Sequence, residues 1–224
     1  MPALLRRPGA VIFDMDGLLL DTERLAARAW HDAAASEGVA FDGALAERMV
    51  GHNFVDCGAL LRAHCPRDYP IDAVLSRWHR AYDAIVEREG IARKPGAIEL
   101  LDWLAARNIA RAVATSTRRS RALAKLEQAG LLTWFTVVVG GDDVARGKPA
   151  PDTHLEAAQR LGVPPAVCVV LEDSEPGVRG ALAAGMTPIM IPDLLPPSTE
   201  LLAVSPWVEA SLVDVVLRLA ELPA

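Results

Sequence analysis

Five short apolar runs recur along the chain, at residues 10–13, 110–114, 136–139, 167–171 and 187–191, rich in valine and isoleucine and nearly free of charge. A half-buried strand alternates apolar and polar residues, whereas an unbroken apolar run suits a strand covered on both faces of a parallel sheet. Between the later runs, apolar residues recur at helical spacing in "AIELLDWLAARN", "RSRALAKLEQAG", "PDTHLEAAQRLG" and "EPGVRGALAAG". Gly130, Gly162 and Gly185 fall just past three of these patterns, as helix-terminating glycines do. The alternation predicts an α/β fold, a doubly wound parallel sheet with helices on both faces.

That rhythm breaks between residues 18 and 93, where no strand pattern occurs and helical patterns cover 22–37, 42–50, 54–65 and 71–89. An insertion of this size exceeds an ordinary crossover. It predicts an all-helical domain at 18–93 set into a Rossmann-like core made of 1–17 and 94–224. The two connections, near 17–22 and 91–96, are then side by side and permit hinge motion over the carboxyl edge of the sheet.

The 224 residues are 51% apolar and 23% charged, an ordinary globular balance. A net charge of −6 with no block of Lys and Arg argues against nucleic acid as partner, while leaving room for a local site that takes a small anion. No apolar run is long enough to span a bilayer, and the opening "MPALLRRPGAV" lacks a signal peptide's apolar stretch, so a cytoplasmic protein without membrane partners is expected. Cys57, Cys65 and Cys168 are odd in number and widely spaced, which excludes a disulfide framework. Against twenty arginines there are three lysines, Lys94, Lys125 and Lys148. A compact ammonium differs from a planar guanidinium as an anion ligand, so any lysine near chemistry draws notice.

In open α/β sheets, ligands gather at the carboxyl ends of the strands. The first run ends on Asp14 and Asp16. In an extended segment, carboxylates at i and i+2 project to the same side, about 7 Å apart along the chain. Such a pair calls for a cation, a shared proton or water. "ARAVA" is followed by Thr115, Ser116 and Thr117; "TVVVGGDD" leads to Lys148; "VCVVL" leads to Glu172 and Asp173. Singly, these read as helix caps, a solvated lysine and an acidic turn. Together they place groups suited to phosphate or a hard metal at successive strand ends.

The motifs "DMDG", "VATS", "GKPAPD" and "LEDS", in this order, resemble those of the haloacid dehalogenase superfamily, and the helical insertion is similar to the cap of its β-phosphoglucomutase-like branch. The resemblance implies that Asp14 is the nucleophile, Asp16 the acid/base, and that Thr115 and Lys148 hold phosphate. It implies a Mg²⁺ site made by Asp14, the Asp16 backbone carbonyl and Asp173, with Glu172 behind it orienting a water. Substrate contacts are expected from Thr115, Ser116, Thr117, Lys148 and Arg118, and from Glu23, Gly51, His52 and Asn53 of the insertion. The chemistry is coherent: a carboxylate can attack phosphorus once cations hold the phosphate oxygens, and Mg²⁺ takes oxygen ligands.

The implied function is Mg²⁺-dependent hydrolysis of a small phosphomonoester, a sugar phosphate or similar metabolite, through an aspartyl phosphate, by a monomer or weak dimer. True dehalogenases of the family lack the second aspartate. Its phosphonate-cleaving branch needs a cap lysine, and residues 18–93 contain none. A sugar phosphomutase is the alternative. The family's mutases carry a histidine where this chain has Ala26, and basic residues near the cap glycine where it has His52 and Asn53. A signalling receiver module, which also uses an aspartyl phosphate, explains neither the insertion nor "LEDS". Trp30, Trp78 and Trp103 fall at apolar helical positions and are expected to pack; His31, His64, His79 and His154 lack metal-ligand spacing.

Overall fold

The computed structural model describes residues 7–50, 52, 54–205 and 207–223. Strands β1 (Ala10–Phe13), β2 (Ala110–Ala114), β3 (Val137–Val139), β4 (Cys168–Glu172) and β5 (Thr187–Met190) form one parallel sheet in the order β3-β2-β1-β4-β5. The central β1 pairs with β2 on one side and β4 on the other, Ala10 standing opposite both Ala110 and Cys168. Each predicted strand is found within one residue of its apolar run.

Successive residues of a strand face opposite sides, and both sides are covered here. Val11, Phe13, Val113, Val169, Leu171 and Ile189 pack beneath α5 (Ala97–Ala105), α6 (Arg119–Gln128) and α10 (Leu212–Ala220). Ala10, Ile12, Ala112, Ala114 and Val170 pack on the other face beneath α7 (Asp152–Leu161) and α8 (Glu175–Ala183). With no face left to water, the strands carry little charge. Gly130, Gly162 and Gly185 take positive φ just beyond α6, α7 and α8. Two helices have no counterpart in the sequence reading, α9 (Thr199–Val204) and α10. In α10 the exposed positions include Val213 and Leu217, so apolar residues are not confined to the buried stripe of Leu212, Val215 and Leu219.

The insertion folds as α1 (Glu23–Ser36), α2 (Gly43–Met49), α3 (Phe54–His64) and α4 (Ile71–Glu89). Its centre is aromatic. The Trp30 ring stacks on Phe41 and Phe54 at 5.8 and 5.9 Å and tilts against Trp78 at 5.2 Å. Trp103 packs against the sheet's helices under the Arg107 guanidinium, 4.0 Å from its ring. Trp30, Trp78 and Trp103 are thus packing residues, as expected. The two connections run together: Leu20 bridges Arg93 in antiparallel sense, Asp21 N donates to Ala92 O, and Lys94 N donates to Leu19 O, both at 2.9 Å. Lys94 Nζ lies 2.6 Å from Asp193 Oδ1, and an Arg24 guanidinium nitrogen lies 3.2 Å from the same oxygen. One buried aspartate thereby ties both connections' neighbourhoods to the loop after β5.

Candidate active site

Asp14 follows β1 directly and is fixed by its own N–H, which donates to Leu171 O at 2.9 Å across the sheet. Lys148, reaching in from the segment before α7, donates to Asp14 Oδ1 at 2.5 Å, to Ala114 O at 2.9 Å and to the Glu172 carboxylate. Glu172 is the last residue of β4, fully buried, and Asp173 follows it, 8% exposed. Asp14, Glu172 and Asp173 each offer an oxygen, and these atoms lie within 4.8 Å of one another. Thr115 is buried at the end of β2, its Oγ1 accepting from Thr117 N at 3.1 Å.

Three carboxylates against one lysine leave excess negative charge in a dry site. Burial, and then the Glu172 and Asp16 charges, push the Asp14 carboxyl up to about 8 despite Lys148. Burial likewise holds Asp173 well above the carboxylate range, reinforced by Asp14, Glu172 and Glu23. Burial opposes ionisation of Glu172 too, but Lys148 and His154 outweigh it and keep it low. A small divalent cation would relieve Asp14 and Asp173 together, and an all-oxygen donor set is the kind Mg²⁺ and Ca²⁺ take. The residues present fit such a group.

Two glycines make the room. A methyl on Gly17, whose φ is +81°, would stand 2.1 Å from Asp173 Oδ2, and one on Gly177 would stand 1.9 Å from Glu172 Cδ. Real Cβ atoms do not approach so closely, so side chains here would displace the carboxylates.

Asp16 departs from expectation. β1 ends at Phe13, so the extended geometry does not run on to Asp16, and the Asp16 carboxylate is not one of the oxygens gathered by Asp14, Glu172 and Asp173. Its Oδ1 accepts from Thr22 Oγ1 at 2.7 Å and Lys125 Nζ at 2.6 Å, and its Oδ2 accepts from Thr117 Oγ1 at 2.7 Å. Burial alone would raise Asp16, but the Lys125 charge and these hydrogen bonds hold it below its ordinary value. Without a metal, two neighbouring aspartates are thus driven in opposite directions.

Sequence reasoning had set Lys125 among three notable lysines without a partner; it lies on α6, 109 residues from Asp16. Gly177 carried no signal beyond its neighbours, and Thr22, expected with Asp21 and Glu23 to face the leaving group, instead donates to Asp16. His154, read as ordinary, is fully buried with Nε2 3.6 Å from Glu172 Oε1, and burial lowers its pKa. Glu23, in the first turn of α1, comes to the site, its Cγ 3.4 Å from where a Gly17 methyl would be. Ser116 is half-buried beside Thr115, and Arg118 is exposed at the start of α6. His52 is exposed, yet with Val50 it borders a cavity of about 370 Å³ whose other walls include Asp173, Arg179, Leu194 and Pro196. Gly51 and Asn53 lie outside the described residues. Cys57 is buried, its thiol pushed up to about 12, first by burial, so it is no nucleophile. Among the described residues no helix is long and apolar enough to cross a membrane.

Residues 8–185 match the family model described as haloacid dehalogenase-like hydrolase. A phosphorylated carbohydrates phosphatase of Thermotoga maritima is 36% identical over 177 residues, covering 79% of this chain and 82% of that protein. A bifunctional riboflavin kinase/FMN phosphatase of Arabidopsis thaliana is 32% identical over 222 residues, 99% of this chain, which spans only 58% of that longer protein. Among solved structures, CbbY of Rhodobacter sphaeroides in complex with xylulose-1,5-bisphosphate is similar at a TM-score of 0.78 and 29% identity, covering 92% of this chain and 96% of that one.

Proposed function

The chain belongs to the haloacid dehalogenase-like hydrolases, and from that premise we propose that it is a Mg²⁺-dependent phosphatase acting on a small phosphomonoester through an aspartyl phosphate on Asp14. The observation that carries this reading is the joining of Asp14, Lys148, Glu172 and Asp173 at the strand ends, with Asp16 held apart by its own partners.

An Asp14 oxygen attacks phosphorus as the bond to the ester oxygen breaks, and Asp16 supplies the proton that the departing alkoxide needs. The alcohol leaves, and Asp14 carries the phosphoryl group. Water then attacks phosphorus and gives a proton to Asp16, the acyl phosphate bond breaks, and inorganic phosphate leaves with Asp14 restored. Lys148 neutralises Asp14 beside the phosphoryl oxygens, and Thr115 and Ser116 offer hydroxyl and backbone donors to them, while Thr117 supports them with its N–H on Thr115 and its hydroxyl on Asp16. Asp14, the Asp16 carbonyl and Asp173 would hold Mg²⁺, with Glu172 behind them. Bound there, the ion supplies the positive charge that lets an anionic nucleophile approach an anionic phosphate. In this reading Glu23, Gly51, His52, Asn53 and Arg118, with the wall of the adjoining cavity, contact the alcohol portion.

Phosphorylated carbohydrates and nucleotide-like metabolites, the kinds of substrate in the relatives' names, are the first esters to try. The core at 1–17 and 94–224 carries the chemistry, and the helical cap at 18–93 the selectivity. Three free cysteines suit the reducing cytoplasm, where we place it as a monomer or weak dimer. Phosphate release from a panel of esters with Mg²⁺, silenced by chelation, is the expected result. Isomerisation of a sugar phosphate that requires a bisphosphate activator would make it a mutase; turnover of no ester would overturn the reading. Ala26, which packs beside Tyr82 and Ile85 where a mutase's histidine is expected, favours hydrolysis.

A further inference from the structure

The two oxygens of Asp16 are not equivalent. Oδ1 is held by a cation and a hydroxyl, Lys125 and Thr22, while Oδ2 accepts from the hydroxyl of Thr117. An ammonium can only donate, so an oxygen bound to it cannot at the same time carry a proton directed there. A hydroxyl both donates and accepts and turns to suit its partner. It can donate to one lone pair of Oδ2 and stay there when that oxygen takes a proton on the other.

Lys125 is also costly to place there. Its side chain is 14% exposed, on the second turn of α6, and its ammonium stands 5.1 Å from the centre of the Tyr82 ring of the insertion's α4. It thus fills the seam between sheet and insertion with its charge directed at Asp16.

Resting on the phosphatase reading above, we infer that Lys125 is a positioning residue that pins Oδ1 of Asp16, leaving Oδ2 as the oxygen that passes protons to and from the ester. In the first step the Oδ2–H bond breaks, its proton goes to the leaving oxygen, and the electron pair stays on Asp16. In the second, a water O–H bond breaks as its oxygen bonds to phosphorus, and that proton returns to Oδ2. Thr117 Oγ1 donates to the other lone pair of Oδ2 throughout, which leaves the proton free to face the ester, and Lys125 keeps the carboxyl from rotating.

The test compares Lys125→Met and Lys125→Arg with the wild type, using an alkyl phosphate and an aryl phosphate under Mg²⁺. An aryl alcohol leaves without protonation, so formation of the aspartyl phosphate from that ester does not need Asp16. Lys125→Met is expected to lower kcat on the alkyl ester at least thirtyfold with KM within threefold. It should still release one equivalent of aryl alcohol in a fast burst. Lys125→Arg, which keeps a cation, should recover at least a third of the lost alkyl turnover. A lysine that merely tied the insertion to the sheet would, once removed, slow the aryl burst as much as the alkyl turnover, and that result overturns the inference. So does alkyl turnover at the wild-type rate in Lys125→Met. Should Lys125→Met not fold, Lys125→Gln carries the same expectations. A wild type that hydrolyses neither ester instead overturns the phosphatase reading, and the inference falls with it.

Discussion

Lys148 Nζ stands 2.5 Å from Asp14 Oδ1 while also bonding the backbone oxygen of Ala114 and the Glu172 carboxylate, so one ammonium links the ends of three adjacent strands. Asp14→Asn keeps the shape and a hydrogen-bond acceptor for Lys148 but removes the nucleophile. Steady-state phosphate release should fall by on the order of a thousandfold or more, with the thermal midpoint retained. Release near the wild-type rate would show that another group attacks phosphorus.

Asp14 and Asp173 hold their protons more tightly in the folded chain than an exposed aspartate does, Asp14 up to about 8 from 3.8. Between those values these two groups bind more protons in the metal-free native state than in the unfolded chain, so their contribution to stability falls as pH rises. Mg²⁺ competes with these protons, and its stabilisation should grow with pH. Melting curves with Mg²⁺ and with chelator at pH 5.5 and 8.5 would show a larger metal-induced rise in Tm at the higher pH. Equal rises at both would place the ion away from these carboxylates.

Asp173→Asn replaces a buried carboxyl, whose ionisation burial and its neighbours oppose, with a neutral amide. In chelator at pH 8 the variant should melt at or above the wild-type temperature, while losing at least tenfold in Mg²⁺ affinity, about 1.4 kcal/mol. Calorimetric titration of Mg²⁺ into the protein reads the second part without turnover. A lower Tm with unchanged Mg²⁺ affinity would contradict both halves.

Gly177→Ala puts a methyl where the Glu172 carboxylate now lies, 1.9 Å from its Cδ. The buried carboxylate must move, at a cost of about 1–3 kcal/mol in stability, the usual range for overpacking. Denaturant unfolding should show that loss together with a drop in turnover; a neutral substitution would mean that Glu172 has somewhere else to go.

His52 borders the cavity that Asp173 also lines, so His52→Ala should raise KM and reorder preference among natural esters. A minimal aryl phosphate should be spared. Changes in kcat/KM under twofold for every ester, about 0.4 kcal/mol, would leave the loop structural.

The sheet was legible because burial on both faces strips the strands of charge, and the helix ends because Gly130, Gly162 and Gly185 take a conformation glycine favours. Asp14, Lys148 and Asp173 were legible for a related reason: each follows a strand or its loop, where the fold gathers ligands. The environment of Asp16 was not. β1 ends at Phe13, before Asp16, and the residue that receives the Asp16 carboxylate, Lys125, sits mid-helix with nothing local to mark it. Nor could spacing show that Gly177 is empty to admit a glutamate.

The paired connections at Leu20 and Arg93 have a wider consequence. The chain leaves the sheet and returns to it at nearly one point, so everything between behaves as a graft on a single stem. Lengthening, trimming or exchanging that graft changes the distance between its roots little, and β1 and α5 need not shift to accommodate it. Selection can therefore rework what the four helices recognise while the strand ends beneath them keep their spacing, and a chimera joined at this stem should inherit its substrate from one parent and its chemistry from the other.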